Sequence, residues 1–165
     1  IAIIFVILFV LFSNARDAGL VLLNVPFAAV GGIAALLLTG FNFSISAGIG
    51  FIALFGICIQ NGVIIISDIK HNLHTRLSLP DAVKTGMRSR IRSIVMTAAM
   101  AAIGLMPAAM SHGIGSESQR PLAIVIIGGL IGATFFALFV FPLIVEWVYS
   151  KMLYDKEGNL LQRKL

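Results

Sequence analysis

Apolar residues in this chain come as long unbroken runs between short polar breaks, not in the stripes of a water-soluble helix or strand. A bilayer core of about 30 Å takes about 20 residues of helix. On that measure 18–38, 45–67, 94–110 and 122–147 read as membrane-crossing helices, and 1–12 as part of another. The span over 94–110 is short alone but extendable back through Ile91. Asn24 and Pro26 are tolerable inside the first full span because neighbouring helices can satisfy freed backbone groups. The breaks are a polar turn at 13–17, a loop at 39–44, a long basic segment at 68–93 and a loop at 111–121. The chain opens on Ile1 inside an apolar run, with no basic leader or cleavage site, so we expect it to be the tail of something larger.

The basic segment has its own period. Ser78 as N-cap, Pro80 and Asp81 read as a helix start. From there Leu79, Val83, Met87 and Ile91 recur every four residues, with Lys84, Arg88 and Arg92 on an adjacent face. That spacing predicts an amphipathic helix over 79–92 lying on the membrane surface. The last span closes on Trp147 and Tyr149, side chains suited to the interface, and 151–165 reads as a cytoplasmic tail. The predicted fold class is an all-α membrane protein, a multi-pass transmembrane helix bundle.

Composition agrees. The 165 residues are 59% apolar and 12% charged, with a mean hydropathy of +1.02, whereas soluble domains carry about 25% charged residues. An ordinary soluble domain and a disordered tail are excluded. So is a disulfide-stapled module, since Cys58 is the only cysteine. The net charge of +5 reflects topology and not nucleic-acid binding, because the basic residues lie between the apolar runs. Of the twelve Lys and Arg, all but Arg120 fall in 13–17, 68–93 and 148–165, which share one side of the membrane. The positive-inside rule makes that side, with the C-terminus, cytoplasmic.

Candidate chemistry is sparse. No ionisable residue stands at mid-span, although such groups are the first functional suspects in a membrane. Asp68 and Glu146 lie at span ends, where water can reach them. A titratable group able to drive transport must therefore lie on sequence outside this chain. Gln60 and Asn61 are the polar groups at depth, with Ser93 and Thr97 on the next helix. They can form interhelical hydrogen bonds worth about 0.6–2 kcal/mol each, or hydrate a proton or ion relay. Gly128 and Gly132 form a small-xxx-small step that lets helices approach closely. Met96 with Met100, and Met106 with Met110, are i,i+4 pairs that read as apolar filler more readily than as Cu(I) ligands. His71 and His74 lack a third ligand nearby. Neither a metal site, nor a cofactor site, nor an enzyme active site is expected.

The stretches NVPFAAVGG (24–32), GFIALFGICIQNGVIII (50–66), RSRIRSIVMTAAMAAIGLMP (88–107) and GIGSESQRPLAIVIIGG (113–129) occur in the order seen in resistance–nodulation–division efflux pumps. The chain resembles the last membrane helices of that superfamily's C-terminal half. The heavy-metal branch is most similar, because its cobalt–zinc–cadmium members carry a QRPLA-type run where this chain has 119–123. The resemblance implies a proton-coupled exporter of heavy-metal cations in the bacterial inner membrane. It also implies a homotrimer working with a periplasmic adaptor and an outer-membrane channel. The five segments would be the eighth, in part, through the twelfth helices, packed on the rest of the pump and on membrane lipid. Gln60 falls where multidrug members place a relay lysine and copper/silver members an acid, and Thr97 matches a threonine near that relay. Gln119 stands where copper/silver members have methionine. The resemblance thus makes Gln60, Asn61 and Thr97 a candidate proton-relay interface with the acidic half. A multidrug exporter of the same superfamily and a non-transporting membrane remnant or scaffold are the alternatives.

Overall fold

The computed structural model describes residues 2–74, 79–113 and 115–162. Its elements are α1 (Ala2–Phe12), α2 (Ala15–Leu22), α3 (Asn24–Thr39), α4 (Ile45–His74), α5 (Leu79–Met110) and α6 (Ser116–Phe135). A single π turn (Phe136–Val140) and α7 (Phe141–Gln162) follow. Four helical stretches are long and apolar enough to cross a bilayer: Ala15–Thr39, Ile45–Leu73, Asp81–Met110 and Ser116–Lys151. Ile3–Phe12 is a shorter apolar helix. The protein is an all-α membrane bundle, with no strand among the described residues.

Two prolines explain breaks that the apolar pattern hides. Pro26 has no N–H for the Leu22 carbonyl and its ring crowds that oxygen, so the stretch expected as one helix over 18–38 divides into α2 and α3 at Leu23. The Asn24 amide donates to the Val21 carbonyl at the break, at 3.2 Å. Pro142 acts in the same way on the Leu138 carbonyl. There the helix widens into the π turn and does not stop, which inserts a bulge into the span expected over 122–147. At the end of α3, Gly40 takes φ +70°, and the Phe41 N–H donates to the Leu36 carbonyl at 3.1 Å.

Other boundaries shift for packing reasons. Residues 15–17, expected in a turn, already belong to α2, and the corner is only Ser13 (φ +51°) and Asn14. Helix α4 runs past Ser67 to His74, and α7 carries the expected tail in helix through Gln162. The segments expected separately over 79–92 and 94–110 are one helix, α5. Its start at Ser78 lies outside the described residues, as do residues 163–165. The apolar face of 79–92 packs in part on the bundle itself. Val83 and Met87 are buried in a cluster with Ile65, Ile66 and Ile69 of α4 and Phe141 and Val145 of α7. Protein covers these two, while Ile91 of the same stripe stays exposed, because α5 folds back along α4: the Asn72 amide donates to the Ala82 carbonyl at 3.4 Å, and Gly86 leaves room for Ile69.

Helix α6 is the hub, packing on α3, α4 and α5. Glycine permits its approach to α3. A Cβ at Gly31 would stand 2.7 Å from the Gly128 carbonyl oxygen, and one at Gly132 would stand 3.0 Å from the Gly31 Cα. On the next face Gly129 receives Leu54, which is fully buried. At the start of the π turn, Phe136 stacks on Phe27 of α3 with ring centroids 3.8 Å apart. Helix α5 buries much less of its apolar length than the other three crossing stretches.

Backbone meeting backbone cannot relax as a side chain can. We expect Gly31→Val to lower the thermal stability of the detergent-solubilised protein by about 1–3 kcal/mol. Gly56→Ala and Gly104→Ala, where nothing stands within 4 Å, should be neutral in the same melts. Equal losses at all three positions would rule out a close α3–α6 contact.

Candidate functional site

The polar side chains gather at the basic end of the bundle, where α1 passes into α2, α4 ends and α5 begins. Asp17 is 2% exposed. Lys70 Nζ lies 2.9 Å from its Oδ2, and the Tyr149 hydroxyl donates to its Oδ1 at 2.8 Å. Lys70 also donates to the Phe12 carbonyl at 3.3 Å and sits 5.4 Å from the centre of the Phe12 ring. One carboxylate thereby ties together α2, α4 and α7, and through Lys70 the end of α1. Each of its oxygens has a donor, as a charge held away from water requires.

A second carboxylate joins α4 to α5. Arg90 grips Asp68 with two nitrogens: Nη2 donates to Oδ1 at 2.9 Å and Nε donates to Oδ2. The Ser89 hydroxyl adds a bond to Oδ2 at 3.2 Å. Two-point contact fixes orientation as well as distance, so this pair sets the register of the two helices. Asp68 is therefore a half-buried partner within a helix that continues to His74.

That register places the neutral polar residues. About two turns, or roughly 10 Å, further along each helix from Asp68 and Arg90, Asn61 and Thr97 stand level, with Gln60 beside Asn61. Asn61 and Thr97 are half-buried and Gln60 is exposed. The Thr97 hydroxyl donates to its own helix, at the Ser93 carbonyl, 2.9 Å away. No hydrogen bond joins the three among the described residues. Gln60 continues an outward stripe of α4 formed by Ile45, Ile49, Ile52 and Gly56, all exposed. Its amide points away from this chain's own core, across a face that no other described helix covers.

The remaining candidates are dispersed. Gln119 and His71 are exposed, and the side chain of His74 lies outside the described residues. Met96, Met100, Met106 and Met110 all point outward from α5. Among the described residues no three His, Cys, Asp or Glu side chains converge as a metal site would require. The trio of buried Asp17 and Tyr149 with half-buried Lys70 escaped the sequence reading, which left each as a surface or interfacial group. A signal did exist. Asp17, Leu20, Val21 and Asn24 follow helical spacing and form the buried face of about two turns, but only a helix starting before Asp17 makes that stripe visible.

A sequence profile described as the AcrB/AcrD/AcrF family matches residues 1–148. The chain is 42% identical over 148 residues to the cobalt-zinc-cadmium resistance protein CzcA of Cupriavidus metallidurans, covering 90% of this chain and 14% of that protein. It is 44% identical over 135 residues to the nickel and cobalt resistance protein CnrA of the same organism, covering 82% and 12%. Against the cation efflux system protein CusA of Escherichia coli K12 it is 36% identical over 151 residues, covering 85% and 14%. A crystal structure of a heavy metal efflux pump superposes with a TM-score of 0.74 at 42% identity, over 90% of this chain and 14% of that one. The chain thus spans about one-seventh of the relatives it matches.

Breaking this trio from one side strands a charge. Asp17→Asn should cost about 2–4 kcal/mol of stability, and Tyr149→Phe about 1–2 kcal/mol for one lost bond to a charged group. Thermal melts of the solubilised protein would check both, and a Tyr149→Phe loss equal to or above that of Asp17→Asn would contradict the assignment of Asp17 as the centre.

Proposed function

Because this chain belongs to the AcrB/AcrD/AcrF family, we propose that it is the C-terminal membrane portion of a proton-coupled exporter of heavy-metal cations. What carries this reading is the set of relatives: those at 42–44% identity over most of the chain bear the names of cobalt, zinc, cadmium and nickel resistance. In this reading the whole pump is a homotrimer in the bacterial inner membrane, served by a periplasmic adaptor and an outer-membrane channel. The eleven Lys and Arg gathered at one end of the spans support a cytoplasmic C-terminus.

Within the pump, this portion supports proton transfer and does not itself carry the proton. The buried carboxylate, Asp17, is already committed to Lys70 and Tyr149, and the half-buried Asp68 to Arg90. Gln60 and Asn61 are neutral, and Gln60 faces out of the bundle with the half-buried Asn61 beside it, where an acidic helix of the remaining pump can meet them. An amide there donates to a carboxylate and orients water without taking a charge. Thr97 stands level with them and completes a polar band at that depth.

The test is metal resistance conferred by the full-length pump in a metal-sensitive strain. Gln60→Leu should lower the tolerated zinc, cobalt or cadmium concentration several-fold at unchanged expression, and Thr97→Ala should lower it less, since its hydroxyl already bonds its own helix. Wild-type resistance in both variants would reduce these residues to packing. Resistance to organic drugs without resistance to metals would replace the metal reading by the multidrug one.

A further inference from the structure

Lys84, Arg88 and Glu146 differ from the paired carboxylates at this end of the bundle. Asp17 and Asp68 close onto their cations within hydrogen-bond distance. Lys84, Arg88 and Glu146 line one groove between α5 and α7, yet make no ion pair among the described residues. The groove holds about 530 Å³, within the range of about 300–1,000 Å³ typical of small-ligand sites. Its floor is apolar, with Val83 and Met87 buried and Pro142 half-buried. Two cations and one anion thus rim an apolar trough that opens to the outside of the bundle.

The depth of this trough is marked by its neighbours. Trp147, next to Glu146, is exposed, and Lys151 lies 5.6 Å from the centre of its ring. An exposed Trp beside a cation at the end of a membrane helix belongs at headgroup level. Lys84 and Arg88 are exposed one turn apart on the same face of α5, where their stems can lie on apolar surface while the charges reach the interface. A ligand that fits has an apolar chain, a phosphate and a cationic group beyond it.

We propose that this groove binds an aminophospholipid, its phosphate between Lys84 and Arg88, its primary amine toward Glu146 and an acyl chain along Met87, Ile91 and Pro142. The charge pattern distinguishes this occupant from others. A purely anionic headgroup satisfies the two cations but leaves Glu146 facing negative charge. A free phosphate leaves the apolar floor bare. The site does not depend on which substrate is exported, and it can fail or hold independently of that reading.

Delipidated protein in detergent, titrated with phosphatidylethanolamine and with phosphatidylglycerol and read by native mass spectrometry, tests the assignment. Lys84→Gln and Arg88→Gln should each weaken retention of both lipids roughly fivefold, the effect of removing one interfacial cation. Glu146→Gln should weaken phosphatidylethanolamine alone and leave phosphatidylglycerol unchanged or tighter. Arg92→Gln removes the same charge from the same helix outside the groove and should change neither. Unaltered elution and helicity verify folding, and each cation is tested separately so that one failed variant does not remove the test. The proposal is overturned if Arg92→Gln acts as strongly as Arg88→Gln, if Glu146→Gln affects both lipids alike, or if inorganic phosphate alone displaces the lipid.

Discussion

Everything in this bundle answers to the absence of water around its middle. A backbone carbonyl or a carboxylate that loses its partner there has no solvent to turn to. Helices satisfy the backbone along most of the chain, and the remaining polar groups must find partners across helices. The prolines show how strict this is. At Pro26 the chain breaks, and the Asn24 amide bonds the carbonyl of Val21. At Pro142 the helix does not break but widens for one π turn. In both places the chain keeps its course through the bundle.

The same constraint sorts the charges. Asp17 and Asp68 are acceptable where they lie because Lys70, Tyr149, Arg90 and Ser89 surround them with donors. Those contacts also hold the architecture. The first carboxylate joins α2, α4 and α7, and the second sets α4 against α5. With the charges spent on structure, the polar groups left at depth are neutral amides and a hydroxyl. Gln60 and Asn61 can donate hydrogen bonds but cannot take up a charge.

Packing without a hydrophobic driving force explains the glycines. Lipid tails are as apolar as leucine, so helices gain little by leaving lipid for each other unless they fit closely. Gly31 and Gly128 allow α3 and α6 to meet backbone to backbone, while Gly129 takes in Leu54. Helix α5 has no comparable contact over most of its apolar length. It leaves a stripe of methionines outward, and the Gln60 stripe of α4 is likewise uncovered. These uncovered faces and the paired charges together give a bundle that is well anchored at its basic end and open along one flank.

The apolar runs of the sequence determined the class of fold, the number of crossing stretches and which end is basic, because transfer of a helix into lipid depends on local composition and length alone. The pattern around Gly128 and Gly132 was also legible, since small residues four apart share a face whatever surrounds them. Three outcomes were not local. The face of 79–92 read as lipid-facing, but α5 turns back and buries Val83 and Met87 against α4 and α7. The span break at Leu23 depended on how α2 and α3 could repack around Pro26. Asp17, Lys70 and Tyr149 lie far apart in sequence, and nothing in any one segment says that the other two supply its donors. A charge reads as surface until the fold places a partner beside it, because its free energy depends on what surrounds it and not on its neighbours along the chain.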